Sequence, residues 1–187
     1  MSKRTHGDVC SYRHSFSLDN FLRKLIQSPK RIVGPYIEEG DTVIDLGCGP
    51  GFFTVPIAEM VGDTGRVVAV DLQEEMLTIV TEKLLDTHLA NRVKIHQCEQ
   101  HALNLDPLLK ADFILAYYMV HETPDQGEFF REVKGHLKPE GKVLVVEPPF
   151  HVNRRKFTHM KQRAEAVGFA ILDTPKRKGG SSLLLSH

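Results

Sequence analysis

The sequence predicts a doubly wound α/β domain, with a seven-stranded, mostly parallel sheet whose last strand is reversed. Three observations predict it. Short runs rich in Val and Ile, bounded by turn formers, alternate along the chain with stretches of helical spacing. Most of these runs are apolar at consecutive positions, as expected where helices cover both faces of a parallel sheet. Near the end, "FAILDTP" (169–175) and "SSLLLSH" (181–187) are separated only by "KRKGG". So short a turn cannot hold a crossover helix, and the two runs must be antiparallel neighbours.

Each element follows from its own residues. "DTVIDL" (41–46), "GRVVAVDL" (65–72), "RVKIHQC" (92–98), "ADFILAYY" (111–118) and "GKVLVVEP" (141–148) read as strands one to five. Helical spacing occupies roughly 52–61, 74–89, 125–137 and 153–167. In the third of these, Phe129, Val133 and Leu137 recur at four-residue steps while Glu128, Arg131, Glu132 and Lys134 take the other face. An earlier helix over 18–36 leads into strand one, with Pro29 marking a break or a second helical start. Right-handed crossovers then restrict the topology.

Composition narrows the function classes. A chain of 187 residues suits one packed domain, read here as an N-terminal helical segment (1–34) and a main domain (35–187). Its 24 basic side chains balance its 24 acidic ones, which argues against a nucleic-acid partner or an anionic membrane. No stretch is long and apolar enough to span a bilayer, and no signal-peptide segment follows the basic start. Cys10, Cys48 and Cys98 are odd in number and widely spaced, so neither a disulfide framework nor a zinc site is indicated, and a cytoplasmic setting is expected. Cys10 and His14 stand four apart, too few ligands for a metal site.

Chemistry concentrates in "VIDLGCGPGFF" (43–53). Glycine at 47, 49 and 51 lets the backbone turn tightly and lets a ligand lie against it. The loop emerges at the carboxyl edge of the sheet, where open α/β folds bind ligands, and a helix starting near Phe52 would present free N–H groups. Twenty residues on, strand two ends in Asp71, placed to accept from a ribose diol or to cap the following helix. The dinucleotide pattern G-x-G-x-x-G is not met, since its final glycine is replaced by Phe52 or Thr54, depending on the starting point. That argues against a nicotinamide oxidoreductase.

On "VIDLGCGPG", Asp71 of "VVAVDL" and "LKPEGKVLVVEP", the chain resembles the class I S-adenosylmethionine-dependent methyltransferases. The nearest branch is the small-molecule one that includes quinone-biosynthesis C-methyltransferases. Glu140 replaces a glycine of the family's turn, and "YYMVHETPD" has Glu122 where that branch has a second histidine. The resemblance implies the strand order 3-2-1-4-5-7-6. It also implies S-adenosyl-L-methionine as cofactor: Asp45 orients the glycine loop and reaches the methionine amino group, Gly47, Cys48, Gly49 and Gly51 pass beneath the ligand, Asp71 holds the ribose, Leu72 packs on adenine, and Glu99, with Gln100 beside it, meets the adenine amino group. Cys48 itself reads as a small packing residue rather than a nucleophile.

Acceptor-side candidates follow strand four: Tyr117, Tyr118, His121 and Glu122. His121 can take a proton from a hydroxyl or amine, with Glu122 orienting or replacing it; alternatively His121 caps the next helix or bonds to backbone. Adjacent tyrosines on a strand point to opposite faces, so at least one is expected to pack against a helix. The expected partner is a small molecule, with an anionic group favoured by "PKRKGG" and by Arg154, Arg155 and Lys156. With no insertion after strand five, a lid must come from residues 1–34, where Tyr12 and His14 are candidates, or from the second subunit of a homodimer. A catalytically inactive, methyltransferase-like binding subunit is the alternative reading.

Overall fold

A computed structural model describes residues 28–175 and 180–187. The elements are helix α1 (Pro29–Val33), β1 (Thr42–Leu46), α2 (Thr54–Met60), β2 (Arg66–Asp71), α3 (Glu74–Leu84), β3 (Val93–Gln97), β4 (Ala111–Tyr117), α4 (Gln126–Gly135), β5 (Leu137–Glu147), α5 (Arg154–Ala166), β6 (Ala170–Asp173) and β7 (Ser181–Ser186). The strands form one seven-stranded sheet in the order β3-β2-β1-β4-β5-β7-β6. All pairings are parallel except those of β7, which runs antiparallel to both β5 and β6. The predicted fold class and tail hairpin are therefore observed.

Alternation along each strand divides the core into two layers. Val43, Val67, Phe113, Leu115, Leu144 and Val146 face α2 and α3, whose contributions include Ile57, Leu77 and Val80. Ile44, Leu46, Ile114, Val143 and Val145 face α4 and α5, which supply Phe129, Phe130, Val133, Met160 and Ala164. Because both faces are covered, consecutive positions must be apolar, and the sequence runs reflect this. Fully burying one such side chain stabilises the fold by roughly 1.5–3 kcal/mol. Tyr36 stacks on Phe113 at 5.7 Å, holding the segment before β1 against the first layer.

Several boundaries differ from expectation. Pro29 is a helical start, occupying the first turn of α1, where its missing N–H costs nothing. Helix α3 ends at Leu84 rather than 89, because Leu85 turns extended and Asp86 adopts a left-handed φ of 59°. Strand β5 begins at Leu137, four residues early. Leu137 pairs with Ala111 ahead of a register shift, and Lys138 closes an ion pair with Asp112 at 2.7 Å. Asp112 also accepts from the Thr42 N–H at 2.9 Å, so one carboxylate joins β1, β4 and β5 at their amino ends. Helix 18–36 is described only from residue 28, and Tyr12, His14, Lys176, Arg177 and Lys178 lie outside the described residues.

Between β1 and β4 the winding reverses, since the chain travels outward to β2 and β3 from one and to β5 from the other. The loops after β1 and β4 therefore diverge and leave a crevice at the carboxyl edge. Phe130, fully buried and packed edge-on against Phe129 and Phe169, tests the second layer. Phe130→Ala should lower the unfolding free energy by about 3–5 kcal/mol in urea titration.

Candidate active site

The loop after β1 is held by the strand beside it. Cys48 N–H donates to the Val70 carbonyl at 3.0 Å, and Gly49 N–H donates to Asp71 Oδ2 at 2.8 Å. Gly47, Gly49 and Gly51 all have positive φ, at 65°, 51° and 82°. Their neighbours differ. A Cβ on Gly47 would lie 2.8 Å from Cβ of Met119, whereas a Cβ on Gly49 would meet no described residue within 4 Å. Gly47 is thus demanded by packing against the β4 loop. Gly49 is demanded by backbone conformation alone, and its open side is a cradle into which a ligand can descend. Lys83 Nζ donates to the Pro50 carbonyl at 2.8 Å and fixes the loop from α3.

Two carboxylates sit beneath this loop. Asp45 is 1% exposed and accepts from Thr54 Oγ1 at 2.7 Å, tying the end of β1 to the start of α2. Burial raises its pKa to about 7, offset in part by the Thr54 hydrogen bond and reinforced by the charge of Asp71. Asp71 is also buried, which raises its pKa, while N–H groups of Gln73 and Gly49 oppose the rise. Its Oδ1 accepts from Gln73 at 2.9 Å, so each carboxylate oxygen already holds one backbone N–H and keeps a lone pair for a further donor. Helix α3 begins after Gln73 as N-cap, not Asp71. The expected helix start at Phe52 is delayed to Thr54, and α2 spans only Thr54–Met60, so the glycine backbone rather than a helix end forms the floor.

Leu72 is half-buried beside Asp71, and its carbonyl accepts from Gln97 Nε2 at 3.2 Å. Glu99 and Gln100 are exposed beyond β3, where Glu99 forms a short bridge with Ala102. Cys48 is buried and burial pushes its thiol pKa up, aided by Asp45 and Asp71; it packs in the first layer. Among the described residues no group of three or more His, Cys, Asp or Glu side chains could hold a metal, and no described helix is long and apolar enough to cross a membrane.

Opposite the glycine loop, Tyr117 ends β4 and Tyr118 adopts a φ of 63°. This left-handed step corrects the expectation that the two rings diverge: it swings Tyr118 onto the side of Tyr117, with ring centroids 4.3 Å apart. Phe53 lies 4.5 Å from Tyr117 and Phe52 lies 5.1 Å from Phe53, so an aromatic row joins the glycine loop to the β4 loop. A left-handed non-glycine residue is strained, and such strain clusters at functional sites.

His121 lies in a short 3-10 turn, Val120–Glu122. Its Nδ1 lies 2.5 Å from Oε2 of Glu147, and its Nε2 is 3.9 Å from Oε1 of Glu122. It does not cap α4, whose N-cap is Asp125, accepting from Gly127 and Glu128 N–H. Burial lowers the pKa of His121, but the hydrogen bond and charge of Glu147 outweigh it, and the pKa ends above its ordinary 6.5. Glu147 terminates β5, is fully buried, and was absent from the sequence-based candidates. A signal existed: Glu147 closes an apolar strand with an acid, as Asp45 nearly does in β1 and Asp71 does in β2.

The family described as methyltransferase domain matches residues 37–179. The chain belongs to this methyltransferase family. Over 111 residues it is 35% identical to the ubiquinone/menaquinone biosynthesis C-methyltransferase UbiE of an Enterobacter species, covering 59% of this chain and 44% of that protein. It is 29% identical over 112 residues to a demethylmenaquinone methyltransferase of Lactobacillus johnsonii, covering 59% and 45%. The chain thus spans under half the length of these curated relatives. A solved S-adenosylmethionine-dependent methyltransferase from Aquifex aeolicus superposes with a TM-score of 0.83 at 25% identity, covering 95% of this chain and 98% of the other. The chain has, accordingly, the Rossmann-like fold of its family.

Two predictions test the geometry. Gly47→Ala should cost about 2 kcal/mol or more, through left-handed strain and the Met119 clash, while Gly49→Ala should cost about 1–2 kcal/mol from strain alone; urea midpoints compare them. Asp45 gives an inverted pH dependence. Because its folded pKa is raised, the folded state holds a proton that the unfolded chain has already lost, so its contribution falls as pH rises from about 4 to about 7. Relative to Asp45→Asn, the wild type should lose up to about 4 kcal/mol across that window.

Proposed function

We propose that this protein transfers a methyl group from S-adenosylmethionine to a small-molecule acceptor. The observation that carries the reading is the open face of Gly49 among the described residues, anchored by Asp71 at the point where the sheet winding reverses. These residues fit the cofactor. Gly47, Cys48, Gly49 and Gly51 would lie beneath it, and Asp71 would use its remaining lone pairs on the ribose hydroxyls. Leu72, with Glu99 and Gln100, would line the adenine side. Asp45 would act through the ionised form that a cationic ligand favours. When bound, the cofactor supplies a sulfonium-activated methyl group, and the carbon–sulfur electron pair stays with sulfur while the acceptor supplies the new one.

The protein's own part is to position the acceptor, exclude water and take a proton. Tyr117 and Tyr118 would form an aromatic wall. His121 would take the acceptor's proton, with Glu122 beside it. The named activity of the quinone-methylating relatives supports testing a hydroxylated ring first. Lys156, which donates to the His151 carbonyl at 3.3 Å, lies with Arg154 and Arg155 at the start of α5 and supports an acceptor carrying an anionic group. A reducing, cytoplasmic setting is part of the proposal, consistent with the free thiols of Cys48 and Cys98.

Calorimetry should show micromolar affinity for S-adenosylmethionine and none for NAD; the reverse order sinks the reading. Gly49→Ala should weaken cofactor binding far more than its stability loss accounts for. Methyl transfer, followed by release of S-adenosylhomocysteine with a hydroquinone, a phenol and a secondary amine as probes, should be lost in His121→Ala while cofactor affinity is kept. Its rate should rise with pH through an inflection above 6.5, because His121 must be neutral to accept a proton. Binding of the cofactor with no transfer to any acceptor would favour a binding subunit.

A further inference from the structure

Glu147 ends the central strand β5 fully buried, with Oε2 against His121 and Oε1 without a hydrogen-bond partner among the described residues. A buried carboxylate oxygen left without a donor is costly, and strand packing gives no reason for an acid there. Its neighbours Val145 and Val146 are ordinary core residues, and an apolar side chain would suit the second layer better. Resting on the methyltransferase reading above, we propose that Glu147 is the positioning residue for the proton transfer. Its carboxylate accepts from Nδ1–H of His121, leaving Nε2 as the proton-accepting atom, and its charge balances the imidazolium that forms.

The surroundings support this division of labour. The groups facing His121 are Glu147 from β5, Glu122 from its own turn, His151 from the segment before α5, with ring centroids 5.6 Å apart, and Lys156 from α5. Among these described groups Glu147 is in hydrogen-bond range of the ring, whereas Glu122, at 3.9 Å on the Nε2 side, is not. A charged partner on Nδ1 selects the tautomer that presents a bare Nε2, as in other base–orienter pairs. The proton balance is simple: an O–H or N–H of the acceptor loses its proton to Nε2, the Nδ1 proton stays between His121 and Glu147, and the resulting cation is paired with a carboxylate already in place. The acceptor class implied is one that must give up a proton, namely a phenolic or enolic hydroxyl or an amine, rather than a thioether or tertiary amine.

The test uses full-length protein with ¹⁵N-labelled histidine, read by long-range proton–nitrogen correlation between pH 5 and 9. Neutral His121 should carry its proton on Nδ1 and titrate above 6.5. Glu147→Gln should lower that midpoint by about one unit or more, since an opposite charge at this range favours the imidazolium, and Glu147→Asp should keep part of the elevation. A wild-type Nε2–H tautomer, or an unmoved midpoint in Glu147→Gln, overturns the inference. If Glu147→Gln fails to fold, Glu147→Asp carries the test, and a midpoint identical to that of the wild type, with an Nε2–H tautomer, overturns it. Where turnover is measurable, Glu147→Gln should cut kcat by about tenfold to a hundredfold and displace the inflection of the pH profile downward. Turnover with an unmoved profile overturns the inference and leaves the methyltransferase reading standing. A wild type that binds no S-adenosylmethionine overturns that reading instead, whatever the state of His121.

Discussion

The hydrogen bond from Gly49 N–H to Asp71 Oδ2 is the constraint around which the site is organised. It ties the loop after β1 to the end of β2, so the loop cannot relax from its left-handed path without unpairing a buried carboxylate. Thr54 repeats the device on Asp45, fastening the far end of the loop to α2. Between these two anchors the backbone passes at positive φ through three glycines, and the middle one keeps an open side. Rigidity here is useful because a cradle that is already formed loses little conformational entropy when a ligand enters.

Acids gather at the carboxyl edge of the sheet: Asp45 near the end of β1, Asp71 at the end of β2 and Glu147 at the end of β5. Each is buried, and burying charge is unfavourable unless something compensates it. Backbone N–H groups compensate Asp71, a hydroxyl compensates Asp45 in part, and an imidazole compensates one oxygen of Glu147. The first two lie under the glycine loop and suit a cationic ligand. The third pairs with His121 in the turn after β4. One edge of the sheet thus gathers three buried acids, each compensated by a different kind of donor.

Strand positions were legible because burial on both faces leaves unbroken apolar runs, and the glycine loop was legible because three alternating glycines have few other uses. Element ends were less so. Leu85 and Asp86 end α3 through backbone conformation that their side chains do not announce, and β5 starts early because Lys138 finds Asp112 across the sheet. His121 could be singled out from its place after β4, but Glu147, 26 residues further on, could not be joined to it along the chain.

By itself the sequence determined the alternating strand–helix order, the reversed last strand and the glycine loop, since each depends on local periodicity or on turns too short for a crossover. Only the tertiary structure decided which face Tyr118 takes, which glycine stays open, and which carboxylate meets His121. Those outcomes depend on neighbours distant in sequence: Met119 lies over Gly47, Val80 crowds Gly51, and Glu147 reaches His121 from the adjacent strand. Side-chain encounters between strands follow from sheet register and crossover geometry, which no local pattern encodes.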